Sequence, residues 1–426
     1  MTSARFTARF TAAWLPLSGP LFRRHFAARV LSWTGTAVSP IALAFAVLGI
    51  GGGVGGLGVV LAADMAARAA LLLVGGAVAD RWPRSTVLVA ANVVAAVGQG
   101  CAAALVWSGT AQVWHLAVSA ALGGVAGAFI GPASSGVLRA VVPPEQLRQA
   151  NALLRLAQNS VKVAGPALGG IVVAAAGPQW AIAWDAATYL AAGLLSTRLR
   201  TPRLPDARRR TGGLRPGEGW REIAARPWLR LLLVQGTVVV PVWLVSFQTL
   251  GPAYAEEHMG GAAAWGLAMT GFTAGILVGA AVALWWHVRR VGRLLCAGTA
   301  LMALPMLTMA AGTGLPAVGA GYFLAGAGEA LVSTVWTLLL QRRVPDEAFG
   351  RVIAFSTLLQ LAPVPLASLT AAPMAHAFGV RPALACCGLV TLGAAVVPLV
   401  RRRVRVLCLP ASGEEGLPRR RTQQQS

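Results

Sequence analysis

Long apolar stretches separated by short polar interruptions run along almost the whole chain. A membrane-spanning helix needs about 20 predominantly apolar residues. Stretches of that kind can be cut at 26–48, 57–79, 86–107, 112–138, 149–176 and 180–197 in the first half, and at 228–250, 264–286, 292–311, 316–341, 351–372 and 382–400 in the second. The pattern predicts an all-α integral membrane fold of about 12 transmembrane helices in two pseudo-symmetric six-helix bundles. The expected division is an N-terminal segment 1–25, a first bundle 26–197, a basic linker 198–227, a second bundle 228–400 and a basic tail 401–426. Arg, Pro and Gly dominate the linker, a composition that stays solvated and flexible. Composition supports the same picture. With 56% hydrophobic and only 12% charged residues and a mean hydropathy of +0.65, the 426-residue chain has too much apolar surface for a soluble globule.

A net charge of +22 would point to nucleic acid in a soluble domain, so the placement of the arginines decides its meaning. Arg5, Arg9, Arg23 and Arg24 precede the first stretch, Arg81 and Arg84 follow the second, and Arg139 and Arg148 separate the fourth from the fifth. The segment 198–226, the cluster Arg289, Arg290 and Arg293, the pair Arg342 and Arg343, and the tail from Arg401 continue the alternation. The connections between them, at 49–56, 108–111 and 177–179, are uncharged; the one after the seventh stretch carries Glu256 and Glu257, and the last carries Arg381. The positive-inside rule then puts both termini and the linker in the cytoplasm. The basicity is topological and calls for no nucleic-acid partner, although linker or tail could also attract anionic lipid. The near-complete use of Arg over Lys points to a bacterial cytoplasmic membrane. The apolar run 12–19 is short and broken by Pro16, which predicts a retained N-terminus. Cys101, Cys296, Cys386, Cys387 and Cys408 read as buried thiols without disulfide or metal spacing.

The halves echo each other. Val142-Pro143-Pro144-Glu145 after the fourth stretch is matched by Val344-Pro345-Asp346-Glu347 after the tenth, as expected for a parallel repeat about an axis along the membrane normal. After the second stretch the chain reads Gly76-Ala-Val-Ala-Asp80-Arg81-Trp-Pro83-Arg84-Ser85. This resembles the Gly-x-Leu-Ala-Asp-Arg-x-Gly-Arg-Lys/Arg signature of the major facilitator superfamily, with Pro83 in place of a glycine and Ser85 in place of a basic residue. The resemblance implies a conformational latch made by Gly76, Asp80, Arg81 and Arg84, with Asp80 set against a helix N-terminus of the other half. A carboxylate placed so gains roughly 0.3–1 kcal/mol. The plainer reading is that these charges anchor the second helix at the interface.

Gly165-Pro166-Ala167-Leu168-Gly169-Gly170 resembles the Gly-Pro-x-x-Gly-Gly end of an exporter-associated motif, without its upstream glycines. Its small residues permit close helix approach and its proline a kink, which is also what ordinary packing would use. The stretch 142–170, the phrase Trp184-Asp185-Ala-Ala-Thr-Tyr and the opening at Ser39-Pro40 together resemble the drug:proton antiporter branch containing macrolide and siderophore exporters, over residues 21–401. This implies proton-driven export of a drug-like or secondary-metabolite compound by a monomer without cofactor. The arginine typical of the fourth span in proton-coupled exporters is absent from 120–135.

Charges inside a bilayer are costly and face a cavity or a partner. Glu329 lies about 13 residues into the tenth stretch, roughly 20 Å along the helix. It shares a face with Tyr322, Gly326, Ser333, Trp336 and Thr337. The resemblance makes that span a cavity lining, and Glu329 the first candidate for substrate or proton binding, either protonated or paired across the halves. Lys162, the one lysine, lies on a stripe with Arg155, Asn159 and Pro166, and Asp64 and Arg68 are spaced for a local pair. Each could equally be structural. Gln99, Gln248 and Gln360 fit substrate contact or helix packing; Trp33, Trp243 and Trp336 fit an aromatic wall or a lipid-facing position. A primary pump is disfavoured because Lys162 is followed by Val163, not by the Ser or Thr of a phosphate loop. The sequence carries no His-Glu-x-x-His or Gly-x-Ser-x-Gly and no metal cluster, so no catalytic residue is assigned. A lipid flippase or a non-transporting regulatory protein of the same fold stays open as an alternative.

Overall fold

The computed structural model describes residues 14–199, 221, 223–285, 291–344 and 346–400. The first half folds into α1 (Pro20–Gly49), α2 (Gly53–Arg81), α3 (Arg84–Trp107), α4 (Val113–Val141), α5 (Leu147–Ala176) and α6 (Pro178–Thr197). The second half contains α7 (Pro227–Val245), α8 (Gly251–His258), α9 (Ala262–Trp285), α10 (Val291–Leu301), α11 (Leu304–Ala310), α12 (Leu315–Arg343), α13 (Asp346–Leu361), α14 (Val364–Phe378) and α15 (Val380–Val400). Among the described residues, eleven spans are long and apolar enough to cross a membrane. The sixth, α6, falls outside that set; Gln179, Asp185 and Thr188 dilute its apolar run, and its packing on α1 and α3 holds it in place.

Not every proline breaks its helix. Pro40, Pro132 and Pro166 in the first half and Pro241, Pro373 and Pro398 in the second sit inside continuous helices. In the second half the seventh, ninth and eleventh spans are each broken into two helices. A proline lacks the N–H that the carbonyl four residues earlier needs. Pro252 leaves the Gln248 carbonyl without that donor, and the preceding turn, Ser246–Leu250, widens to a π-helix whose next N–H, of Gly251, reaches the Ser246 carbonyl. Pro305 follows the break between α10 and α11, and Pro363 and Pro365 mark the break between α13 and α14.

The internal repeat is a repeat of backbone geometry. Val142 and Val344 end α4 and α12 with nearly equal extended conformations, each donating its N–H to the carbonyl four residues back. Gly109 and Gly312 close the turns after the third and ninth spans with φ of 71° and 70°. Gly177 and Gly379 do so after the fifth and eleventh with φ of 91° and 88°, values that favour glycine. These six positions lie at corresponding places in the two halves.

Within the first bundle α2 packs on α4, α3 on α4 and α6, and α1 on α5 and α6; the second repeats this with α9 on α12, α10 on α12 and α11 on α15. The bundles meet where α5 packs on α9 and α2 on α14. Small residues make these approaches possible. A methyl group added at Gly58 would collide with the Ser368 carbonyl, and one at Gly170 would come within 2.6 Å of the Gly266 Cα and 2.9 Å of the Ala262 carbonyl. Both approaches lie near the uncharged connections, at one end of the molecule.

Two of the cysteines depart from the expectation of buried thiols. Cys296 and Cys387 are buried, but Cys101 and Cys386 are exposed. Cys101 lies on the outer stripe of α3 with Val93 and Val97, and Cys386 beside Leu389 and Val390 on α15, so both face outward from the bundle among apolar side chains. Cys408 lies outside the described residues.

Candidate functional site

Two groups of polar side chains occur within the apolar interior. The first belongs to the first bundle and surrounds a cavity of about 130 Å³. Asp64 and Arg68, one helical turn apart on α2, form an ion pair in which Arg68 Nη2 donates to Asp64 Oδ1 at 3.3 Å. Glycines on α4 make the room: a methyl group at Gly127 would lie within 3.0 Å of the guanidinium, and one at Gly124 would lie 3.1 Å from Asp64 Oδ1. From α6, Asp185 and Tyr189 line the same cavity, joined by Thr36 and Ser39 of α1 and Gln99 of α3.

Hydrogen bonds tie these groups together. The hydroxyls of Thr36 and Tyr189 are 3.1 Å apart. Ser119 donates to Gln99 Oε1 at 3.4 Å, and Gln99 Nε2 donates to Ser39 Oγ at 3.2 Å, which leaves the Ser39 proton for the adjacent Asp185. Asp185 is 1% exposed, and its Oδ1 has no hydrogen-bond partner. Nearer the charged end of α1, His25 lies 3.3 Å from the Ser134 hydroxyl, and the Arg29 guanidinium sits 4.6 Å above the Trp33 ring.

The second group spans the two bundles. Arg155, Asn159 and Lys162 on α5 are exposed. Farther along the same helix face, Gly169 and Gly170 are buried against Val38 of α1 and Gly266 of α9. The polar stripe therefore looks into the gap between the bundles, not outward. Across that gap stands Glu329 of α12, half-buried, within electrostatic reach of Lys162. Ser333 and Thr337, farther along α12 toward the charged end, are exposed.

Other residues singled out in the sequence take different places. Tyr322 is buried in an aromatic cluster with Trp243, Phe247, Trp265 and Phe272, its ring perpendicular to those of Trp265 and Phe272. Trp336 packs among Leu232, Leu295 and Leu340 near the charged end. Helix spacing aligns both with Glu329, but α12 is wedged between neighbours and its face is shared out among them. Gly165, Pro166, Gly169 and Gly170 run along the seam from α1 to α9; a methyl group at Gly165 would collide with the Ala37 side chain. Pro166 also lines a smaller cavity of about 70 Å³ between the bundles, with Phe247, Gln248 and Trp265. Arg81 is exposed, and Arg84 donates to the Gly136 carbonyl of α4 at 3.0 Å. The side chains of Gly76 and Asp80 lie outside the described residues. Among those described, no group of three or more His, Cys, Asp or Glu is arranged to hold a metal ion.

Sequence reasoning passed over Asp185 as a site. The available signal was an acid in the middle of an apolar helix; its partners come from α1 and α3 and leave no local pattern. Gln248 was noted without its setting. The π-turn places it on the first cavity as well as the smaller one, so a side chain of the second half reaches the polar group of the first.

Known proteins share this architecture. The nucleoside transporter NupG superposes with a TM-score of 0.70 at 10% identity, over 89% of this chain and 99% of that one. A bacterial homologue of the human lysosomal transporter Spinster, in an inward-facing and unoccupied conformation, gives 0.64 at 14% identity over 91% and 98%. Among relatives by sequence, the multidrug efflux pump Tap of Mycobacterium tuberculosis is 26% identical over 411 residues, 93% of this chain and 94% of that protein. An uncharacterized MFS-type transporter, y4rN of Sinorhizobium fredii, is 30% identical over 240 residues, which span 55% of this chain and 59% of its own length. The family model of the Major Facilitator Superfamily matches residues 25–364. With two repeated bundles facing each other across intramembrane charges and a family match over most of its length, this multi-pass membrane protein belongs to the major facilitator superfamily of transporters.

Proposed function

We propose that the protein exports a small amphipathic or hydrophobic compound by proton antiport, rocking its two bundles about a site between them. The observation that carries this reading is the gap itself. It is sealed at the uncharged end by Gly58 against Ser368 and Gly170 against Gly266, while the exposed stripe of Arg155, Asn159 and Lys162 faces Glu329 nearer the charged end. With the charged connections on the cytoplasmic side, this arrangement opens inward, the state in which an exporter loads. Glu329 and Lys162 then form the binding element of the site, and the aromatic cluster around Tyr322 backs it with apolar surface. The chain works as a monomer, with both termini in the cytoplasm of a bacterial cell.

The motif at the charged end of α2 has the role of a latch. Arg84 is already fixed to the fourth span through the Gly136 carbonyl, and Asp80 and Arg81 would reach the second bundle when that end closes. Similarity to the multidrug efflux pump Tap supports the outward direction of transport and a drug-like cargo. The test is accumulation of a panel of lipophilic antibiotics and siderophores in cells carrying wild type or Glu329→Gln, with and without a proton uncoupler. Wild type should lower accumulation of at least one compound, and either the substitution or the uncoupler should abolish the effect. Equal accumulation of every compound in all arms, with the protein present in the membrane, would overturn the proposal.

A further inference from the structure

Asp185 is a carboxylate that the binding element between the bundles does not use. Its side chain is 1% exposed and borders the cavity of about 130 Å³ in the first bundle, while its Oδ1, packed against Gly35 of α1, receives no hydrogen bond. The guanidinium that lines that cavity, of Arg68, is already engaged by Asp64 at 3.3 Å. Two carboxylates thus share one neighbouring cation, and the bare charge of Asp185 in a desolvated setting demands a compensating positive charge. The cavity is large enough for a water molecule or a partly dehydrated ion. Its polar lining is rich in oxygen: besides the two carboxylates it presents the hydroxyls of Thr36, Ser39 and Tyr189 and the amide of Gln99.

From these observations we infer that the cavity around Asp185 binds the coupling ion of this transporter, a monovalent cation held either as a proton on the carboxylate or as a sodium ion among the surrounding oxygens. Hard cations take oxygen ligands of this kind. The π-turn of the seventh span carries Gln248 from the second bundle to the cavity rim. Occupancy at Asp185 is thereby sensed by a side chain of the other half, through a segment that also borders the seal between the bundles.

The test uses the full chain purified in detergent, with its thermal midpoint followed in two series: falling pH in potassium buffer, and sodium replacing potassium at fixed pH. A cation that binds only the folded state raises the midpoint by mass action, by about 1–2 °C for each tenfold excess over half-saturation in a chain of this length. Wild type should respond in one series: to pH if the ion is a proton, to sodium if it is sodium. Asp185→Asn should abolish that response, whereas Glu329→Gln, outside the cavity, retains it. Other titratable groups around the cavity and on the elements packed against α6 are His25 and Arg29 on α1, Asp64 and Arg68 on α2, Lys162 on α5 and Tyr189 on α6. The wild-type-minus-Asp185→Asn difference separates Asp185 from all of them.

If Asp185→Asn does not fold, Ser39→Ala and Gln248→Leu keep the carboxylate. Each should then move the half-saturating cation concentration by about tenfold, the loss of one charge-assisted contact. A wild type that responds in neither series, an Asp185→Asn protein that responds like wild type, or two unchanged cavity variants would overturn the inference. The word coupling rests on the exporter reading. A cation response without export of any compound sinks that reading and leaves the ion site, whereas export without a cation response sinks the ion site alone.

Discussion

The two halves share a backbone plan but hold their helices together by different chemistry. The first half keeps its helices continuous and fills its interior with polar groups: the Asp64–Arg68 pair, Asp185 with Ser39 and Gln99, and the Thr36–Tyr189 contact. The second half breaks three of its spans at prolines and packs its centre with aromatic rings and glycines, with Glu329 as its acid at mid-span. The difference teaches that the repeat conserves turns and helix ends, the features a chain needs to cross and recross a membrane. The interior is left to diverge. In lipid the hydrophobic effect does little to associate helices, so close packing and interhelical polar contacts must do it. Close packing serves both halves, with Gly75 and Gly124 bringing α2 and α4 together as Gly275 and Gly326 do α9 and α12, whereas these interhelical polar contacts belong to the first.

The largest expected effect is on packing in the second half. Gly326→Leu would drive its side chain into the Phe272 carbonyl, where α12 and α9 touch through backbone. No folded protein should be recovered from detergent, whereas the same substitution at Gly123, where a methyl group meets nothing within 4 Å, should give protein that elutes as a single species. Next comes the seal. Gly58→Leu should hold the uncharged end apart, since overpacking costs roughly 1–3 kcal/mol, a shift of about tenfold or more in the balance of states. Export should fall accordingly, and a cysteine introduced by Pro40→Cys should become reactive to a membrane-impermeant thiol reagent added outside.

A smaller effect is expected for charge in the first half. Asp64→Ala should lower stability by about 1–2 kcal/mol, less than a fully buried pair because both partners are partly exposed. The double substitution with Arg68→Ala should recover part of that loss in thermal melts; a strictly additive double would show that the pair does not interact. Smallest is Thr36→Val, which removes the contact with Tyr189 and should cost about 1 kcal/mol. Its effect on export should be slight, and a loss as great as that of Gly58→Leu would mean the polar interior of the first half, not the seal, limits transport.

Much of the fold was legible because length and apolarity alone define a span, and the connections carry their charges on alternate sides. The cuts fall close to the observed helices; the first span begins earlier, at Pro20, where proline fits the first turn and Phe22 and His25 are buried by neighbours. Whether a proline breaks its span was not legible. Pro166 and Pro252 look alike in sequence, yet only the second is accompanied by a widened turn. Spacing along α5 was enough to mark the Arg155, Asn159 and Lys162 face. Pairing of Glu329 across the halves was legible as an expectation, but spacing could not say which cation stands opposite, since the two helices belong to different halves. Tyr322 and Trp336 show the limit of spacing most clearly: one stripe on a helical wheel contributes to an aromatic cluster at one level and an aliphatic one at another. Asp185 was visible as an acid but not as a site, because what sets it apart is the missing hydrogen-bond donor.

The closure between α2 and α14 and between α5 and α9 joins neutral residues, Gly58 to Ser368 and Gly170 to Gly266, through backbone brought close by the absence of side chains. Dispersion at such short range is strongest while contact is complete and loses about a quarter to a half of its strength within about an ångström of separation. Dissolved ions do not screen it. The contact itself should therefore be insensitive to ionic strength, with only Glu256, Glu257 and Arg381 at that end left to respond to salt. The opposite end is flanked by arginines, so its rate of closing should follow the salt concentration of the solution that bathes it.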